Sequence, residues 1–346
     1  MDQNNTYGDI SPLVGERAAR RLLKRGQPRM LTQRFGLSDT HERNTGRVRK
    51  WRRYESLPPA VAPLAEGVTP AGFKLVHTDY TAILQEYGAV VYITNRIADT
   101  HTDPVLQESV DLLTESYQET IELVTYDTLK AGTNVVYAGQ VASRSDVALP
   151  PQRGDLRVIV RALHRARAQT ISRVIQPSDK VSTAGVKASF FAMCHTDLES
   201  DLENVTGYRT AVEYANPGQA MEHEHGSVAG IRFLTTNVGT KAEEGLWPWE
   251  QAGADTDSRL SAGAPPAGQE AADVYPILVV AKNAYGCVRL QGKGAVKIKV
   301  LNPNQPRGGD PLGQRGTVGY ITDYACAILN DLWMVRYEVA CTAIPT

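Results

Sequence analysis

Residues 103–132 read DPVLQESVDLLTESYQETIELVTYDTLKAG, and the fold turns on this stretch. Asp103 is a good N-cap, and Pro104 falls at the first helical position, where its missing N–H costs nothing. Beyond them Leu106, Val110, Leu113, Tyr117, Ile121 and Val124 recur at spacings of four, three, four, four and three, one apolar stripe at the helical period. The opposite face carries Gln107, Glu108, Asp111, Glu115, Glu119 and Glu122, and Gly132 is placed to end the helix as its C′ residue. The spacing predicts a helix over 103–131, a rod about 40 Å long at ~1.5 Å per residue and long for a globular helix.

Upstream, a β-like run from Arg47 to Tyr54 and a second from Phe73 to about Tyr87 flank a Pro-rich segment, and together they predict a long hairpin. Neither face of that hairpin is apolar: Leu75, His77, Asp79, Thr81, Ile83 and Gln85 alternate with Val76, Thr78, Tyr80, Ala82 and Leu84. An isolated two-stranded ribbon is marginal in water, so something outside the subunit is expected to cover it. Before it lie 45 residues expected to form an arm with one brief helix, in which Ala18, Leu22 and Leu23 sit among Arg17, Arg20, Arg21, Lys24 and Arg25.

The net charge of −1 hides an asymmetry. Residues 1–53 hold thirteen Lys/Arg against five Asp/Glu, a basic arm on an acidic body. With Trp51 and Tyr54 beside Arg49, Lys50, Arg52 and Arg53, the arm could neutralise phosphates and stack on bases, or bind an acidic protein surface. The protein partner is favoured, because the aromatics cluster at one end only.

Downstream, Gly154 to Ala168 reads as a second helix and Ala188 to Cys194 as a buried strand, followed by a mixed α+β region. Between Ala252 and Ala272, 12 of 21 residues are Ala, Gly or Pro, which predicts an exposed, mobile excursion. The C-terminal section is β-rich, with period-two runs around Val296 to Val300 and Trp333 to Cys341 and a short helix or apolar strand between Tyr320 and Leu332. The 346 residues suffice for about two domains at ~150 residues each, and the composition is that of a folded soluble chain. No apolar stretch approaches the ~18–20 residues of a membrane span, and the start lacks the apolar core of a signal peptide, so a reducing cytosol is the expected compartment. Cys194, Cys287, Cys326 and Cys341 fit small buried hydrophobes better than disulfide or zinc-ligand spacing.

Candidate chemistry is thin. Glu222-His223-Glu224-His225 places four potential ligands together, but without a helical His pair or a distant third ligand a solvated charged loop is expected. The run Gly286 to Gly294 has P-loop glycines at the wrong spacing, with Gly294 where the hydroxyl should be. Gly308 to Gly316 reads as tight turns, and Asp197, Glu199, Asp201 and Glu203 as a solvated surface. Cys194 and His195, adjacent on a strand, would point to opposite faces and cannot form a dyad. No catalytic, cofactor or metal site is expected.

The order of parts resembles the major capsid proteins of tailed bacteriophages, and specific segments resemble the podovirus-type phage and prophage subfamily. These are Glu66-Gly67-Val68-Thr69-Pro70, Thr78-Asp79-Tyr80-Thr81-Ala82, Gln85-Glu86-Tyr87-Gly88, Asp99 to Leu106, Ala131-Gly132-Thr133-Asn134-Val135, Asp310-Pro311-Leu312, Gln314 to Gly319 and Leu329-Asn330-Asp331. The likeness covers about residues 45–342. It implies an α+β fold with a basic N-arm (1–45), an E-loop hairpin with flanking strands (46–95), a P-domain with the spine helix (96–150), an A-domain-like region (151–300) whose excursion spans 239–273, and a C-terminal β-rich return (301–346). It further implies self-assembly into hexamers, pentamers and an icosahedral shell around double-stranded DNA, in a virion assembled in the bacterial cytoplasm. Scaffolding, portal and decoration proteins would be partners, with no membrane, no cofactor and no catalysis. Assembly contacts are expected from Arg17, Arg20, Arg21, Lys24, Arg25, Arg49, Trp51, Arg52, Tyr54, Thr69, Tyr80, Glu108 and Glu115. Removing residues 1–45 is expected to leave a folded subunit that assembles poorly. The alternatives are a cytosolic nucleic-acid-binding protein using the arm, and a hydrolase with a metal at His223 and His225.

Overall fold

A computed structural model describes residues 30–61, 63, 67, 69, 72–96, 105–171, 188–214, 220–238, 250–253, 272–291, 298–303, 306 and 308–342. In chain order these form β1 (Leu37–His41), β2 (Val48–Tyr54), β3 (His77–Ile83), β4 (Gln85–Thr94), α1 (Val105–Lys130), β5 (Val135–Tyr137), α2 (Arg153–Arg165), β6 (Phe190–His195), α3 (Glu199–Glu203), β7 (Arg209–Thr210), β8 (Glu224–Val228), β9 (Ile231–Thr236), β10 (Glu250–Gly253), β11 (Ala272–Val280), β12 (Tyr285–Leu290), β13 (Ile298–Leu301), β14 (Arg315–Ile328) and β15 (Met334–Ala340). An eight-stranded sheet runs β5-β15-β11-β6-β9-β8-β7, with β10 on β11; a five-stranded sheet runs β1-β12-β14-β13, with β4 also on β14; β2 and β3 form a separate ribbon.

The long helix forms where its period predicts and lies along β14 and β4. Its buried stripe runs Leu113, Tyr117, Ile121, Thr125 and Leu129 at spacings of four, with Val110 and Val124 half-buried on its margins. Two tyrosines of β14 fasten it: Tyr117 meets Tyr320 edge-on at 5.5 Å, and the Thr125 hydroxyl lies 2.7 Å from the Tyr324 hydroxyl. Asp103 and Pro104 lie outside the described residues. Glu122, expected on the solvent face, is instead buried, because the chain from Met30 crosses the helix there. The helix ends at Lys130 as expected, but Gly132 does not take the left-handed φ of a C′ cap. A Cβ here would stand 2.6 Å from the terminal methyl of Met334, which a shift of that flexible side chain would relieve.

Residues 30–45 are not a free arm. Leu31 and Phe35 are buried in the main core, Phe35 stacks on Phe191 at 4.6 Å, and β1 pairs in parallel with β12. Apolar residues too few to form their own element are buried here against elements far away in sequence, such as Phe191 of β6, and β1 pairs with the distant β12, contacts with no local signal. Of the expected arm, residues 1–29 lie outside the described residues.

Several C-terminal expectations sharpen. The segment after the Gly308 to Gly313 turns, where Asp310 accepts the Gln314 and Arg315 backbone N–H groups, is one 14-residue strand. Gly316 therefore belongs to β14, not to a turn. Every residue of β15 is buried, so its period-two pattern marks two packed faces instead of one wet and one dry. The polar set is neutralised internally: Glu338 accepts from Arg144 at 2.7 Å and from Arg336 at 2.8 Å. The acidic run is solvated only in part, with Glu203 exposed and Glu199 half-buried. Asp201 is buried and accepts the Thr342 N–H at 2.8 Å, and Asp197 accepts from the Tyr275 hydroxyl at 2.8 Å. At the start of the excursion β10 pairs with β11; the rest of 239–271 lies outside the described residues.

Candidate assembly interface

The hairpin forms from β2 and β3, paired antiparallel with Trp51 opposite Tyr80 and Arg52 opposite Asp79. It is shorter than expected. Residues 72–76 are not strand, and after Leu84 the chain enters β4, which leaves the ribbon and pairs with ten residues of β14. One face of the ribbon, holding Arg49, Trp51, Thr78, Tyr80 and Ala82, is laid on its own subunit, so cover from outside the subunit is left to the other face. Ala82, Leu84, Val288 and Ala325 form a small second core against which Trp51 packs. Asp39 of β1 clasps this face, accepting from Arg49 Nε at 2.8 Å and from the Trp51 indole N–H at 3.1 Å.

The other face stays in solvent. On it Asp79 accepts from Arg52 Nε at 2.8 Å and meets Lys50 Nζ at 2.7 Å. Hydrogen bonds from Arg52 and Lys50 hold the Asp79 carboxyl well below the usual carboxylate range. Towards the tip, the end of β2 and the described part of the hairpin connection expose six apolar side chains: Tyr54 (59% exposed), Leu57, Val61, Phe73, Leu75 (62%) and Val76. Single exposed apolar residues are ordinary on a soluble protein; six around one loop are not.

The segment that leads into β1 is held separately, by Glu122 of α1. One Glu122 oxygen accepts the Leu31 and Thr32 backbone N–H groups at 2.7 and 2.8 Å, and the other accepts the Thr32 hydroxyl at 2.7 Å. Burial pushes this carboxyl above its ordinary range despite those bonds.

Among the expected contact residues, Arg49, Trp51, Arg52, Tyr54 and Tyr80 are gathered on the ribbon, with Tyr80 under the Arg53 guanidinium at 5.3 Å. Thr69 is exposed in the hairpin connection. Glu108 and Glu115 are half-buried on α1, on a different element from the ribbon. Arg17, Arg20, Arg21, Lys24 and Arg25 lie outside the described residues. Sequence reasoning missed Asp39 and Glu122; Glu122 interrupts the apolar run of Ile121, Leu123 and Val124, whereas Asp39, between Ser38 and Thr40, carries no such signal.

The metal alternative fares poorly in the structure. His223 sits in a turn at φ 64, Glu224 is buried against Arg232 and the Tyr214 hydroxyl, and His225 Nδ1 is bonded to the Tyr208 hydroxyl at 2.7 Å. The solvated-loop expectation needs correcting too, since Glu224 opens the strand β8. Among the described residues no group of three His, Cys, Asp or Glu side chains could hold a metal ion.

The sequence matches a family model described as phage capsid protein over residues 79–318. This chain belongs to the phage capsid protein family. Solved structures agree in fold. The capsid of Ralstonia phage GP4 superposes with a TM-score of 0.66 at 11% identity, covering 100% of both chains. The head structure of Helicobacter pylori bacteriophage KHP40 gives 0.61 at 12%, covering 97% of each, and the capsid of cyanophage Pam1 gives 0.61 at 13%, covering 97% of this chain and 100% of that one. No curated protein matches the sequence. The capsid protein therefore has the tailed-phage capsid fold, and its role is structural: it forms the shell.

Proposed function

We propose that this capsid protein closes its shell by laying the exposed face and apolar tip of the β2–β3 ribbon over a neighbouring subunit, within hexamers and pentamers that enclose double-stranded DNA. The observation that carries the proposal is the two-sidedness of the ribbon. One face is satisfied at home by Asp39 and the small second core, whereas Tyr54, Leu57, Phe73 and Leu75 remain in water at a cost that burial between subunits removes. In the same proposal Arg52 and Thr69 contact the neighbour directly, while Arg49, Trp51 and Tyr80 set the angle at which the ribbon leaves the body.

The basic residues Arg17, Arg20, Arg21, Lys24 and Arg25 extend the arm across a neighbour's acidic surface, and Glu108 and Glu115 of the spine offer carboxylates to such cations. Scaffolding, portal and decoration proteins and the packaged DNA are the further partners, with assembly in the bacterial host cytoplasm and no catalysis. The nucleic-acid alternative finds less support, because the Trp51 indole and the Arg49 and Arg52 guanidinium groups already have protein partners. The test is Tyr54→Glu with Leu75→Glu. The double variant is expected to melt like the parent yet give no closed shells by negative-stain electron microscopy under conditions where the parent does; normal shells would sink the proposal.

A further inference from the structure

Four cysteines are all present as thiols, and two of them meet. Cys287 of β12 and Cys326 of β14 are direct cross-strand partners, thirty-nine positions apart in sequence, with their sulfurs 4.0 Å from each other. Directly opposed residues of an antiparallel pair have Cα atoms about 4.5–5.5 Å apart, inside the ~4.4–6.8 Å range that a disulfide accepts. Bond formation therefore needs side-chain rotation and no strand movement. The two sulfurs differ in access. Cys287 is buried, whereas Cys326 is partly exposed and lines an open groove of about 420 Å³ between α1 and the ends of β3 and β4. The other two cysteines lack any such arrangement: Cys194 is fully buried, and the Cys341 thiol donates to the Asp197 carbonyl at 3.3 Å.

We infer that Cys287 and Cys326 are a reversible dithiol–disulfide site, opened to oxidants through the groove at Cys326. A low-molecular-weight disulfide supplies the oxidising equivalents. The Cys326 sulfur attacks it, forming a mixed disulfide and releasing one thiol with the proton that Cys326 gives up. Cys287 then attacks the Cys326 sulfur, breaking the mixed disulfide, forming the Cys287–Cys326 bond and releasing the second thiol. Two protein thiols are oxidised and one small disulfide is reduced to two thiols. The bond would join β12, which carries β1, to β14, which carries β4 and through it the ribbon. It forms within one subunit and does not depend on how subunits assemble.

The experiment uses the full-length protein, exposed while folded to oxidised glutathione, then denatured and alkylated with a maleimide. Two of the four thiols should be lost, a Cys287–Cys326 peptide pair should be found by mass spectrometry, and dithiothreitol should restore all four. Cys287→Ser should trap one glutathione on Cys326, because no resolving thiol remains. Four alkylatable thiols in the oxidised parent, glutathione held singly on Cys326 in the parent, or a link seen only when oxidation is done in urea would each overturn the inference. Should the serine variant not fold, the parent alone decides.

Discussion

Glu122 stands one residue beyond Ile121 on the long helix, and its role shows how a single carboxylate can bind a distant segment. Three hydrogen bonds tie it to Leu31 and Thr32, whose backbone donors would otherwise be buried without partners. Glu122→Ala is expected to lower stability by about 3 kcal/mol, since bonds to a charged acceptor are worth ~1.5–3 kcal/mol each and the loss is partly relieved by water. Its pH signature has a definite sign. Because burial raises the folded-state pKa above that of the unfolded chain, the contribution of Glu122 is full below the unfolded value and declines as pH rises through the raised one. Urea midpoints of the parent minus those of Glu122→Gln, measured across that window, should therefore fall with increasing pH; a flat difference would show that the carboxyl titrates normally. Asp79 runs the other way, its lowered pKa keeping the Arg52–Lys50 clasp intact until the solution is more acidic than ordinary carboxylates tolerate. None of this was legible in the sequence at the level of residues: helical period assigned Glu122 to water, and only the crossing of a segment some ninety residues away reverses that.

Elements were far more legible, because their signals are local. The long helix, α2, the ribbon, β6 and β15 all lie where period and β-propensity put them, and the errors are of boundary, of capping or of facing. Gly88 and Gly154 separate two reasons for glycine within such elements. A Cβ on Gly88 would stand 2.6 Å from the Tyr320 carbonyl oxygen, backbone of the paired strand, so Gly88→Ala must push β4 off β14. Gly154, in the first turn of α2, has nothing within 4 Å of that position. Thermal melts should show Gly88→Ala destabilised by more than 1 kcal/mol and Gly154→Ala unchanged or stabilised by up to ~1 kcal/mol, the usual helix preference for Ala. Equal effects at the two sites would mean that the close approach at Gly88 is relieved by side-chain or backbone adjustment. The turn glycines after Asn302 were read correctly up to Gly313 and wrongly at Gly316, because a strand glycine packed against Pro303 looks the same in sequence as a turn glycine.

At the scale of the whole molecule the boundary of the arm moves. Composition marks residues 1–45 as one basic segment, yet Leu31 and Phe35 belong to the core and β1 to the five-stranded sheet, so a cut after residue 45 removes a strand as well as an arm. Deletion of residues 1–29 is expected to leave a cooperatively melting subunit, and deletion of 1–45 one that is insoluble or melts far lower; comparison of the two soluble yields and melts checks the new boundary. Pairings such as β1 with β12 and β15 with β5 were illegible because parallel partners far apart in sequence leave no mark on either strand, whereas the resemblance to capsid proteins supplied the architecture that periodicity could not. The path from ribbon to body has a mechanical consequence. Tension on the ribbon passes through Leu84 directly into β4, whose ten rungs to β14 lie across the direction of pull. Such a joint is loaded in shear, with all its rungs sharing the force at once, so a tug from a neighbour meets the resistance of the whole strand instead of opening it one bond at a time like a zip.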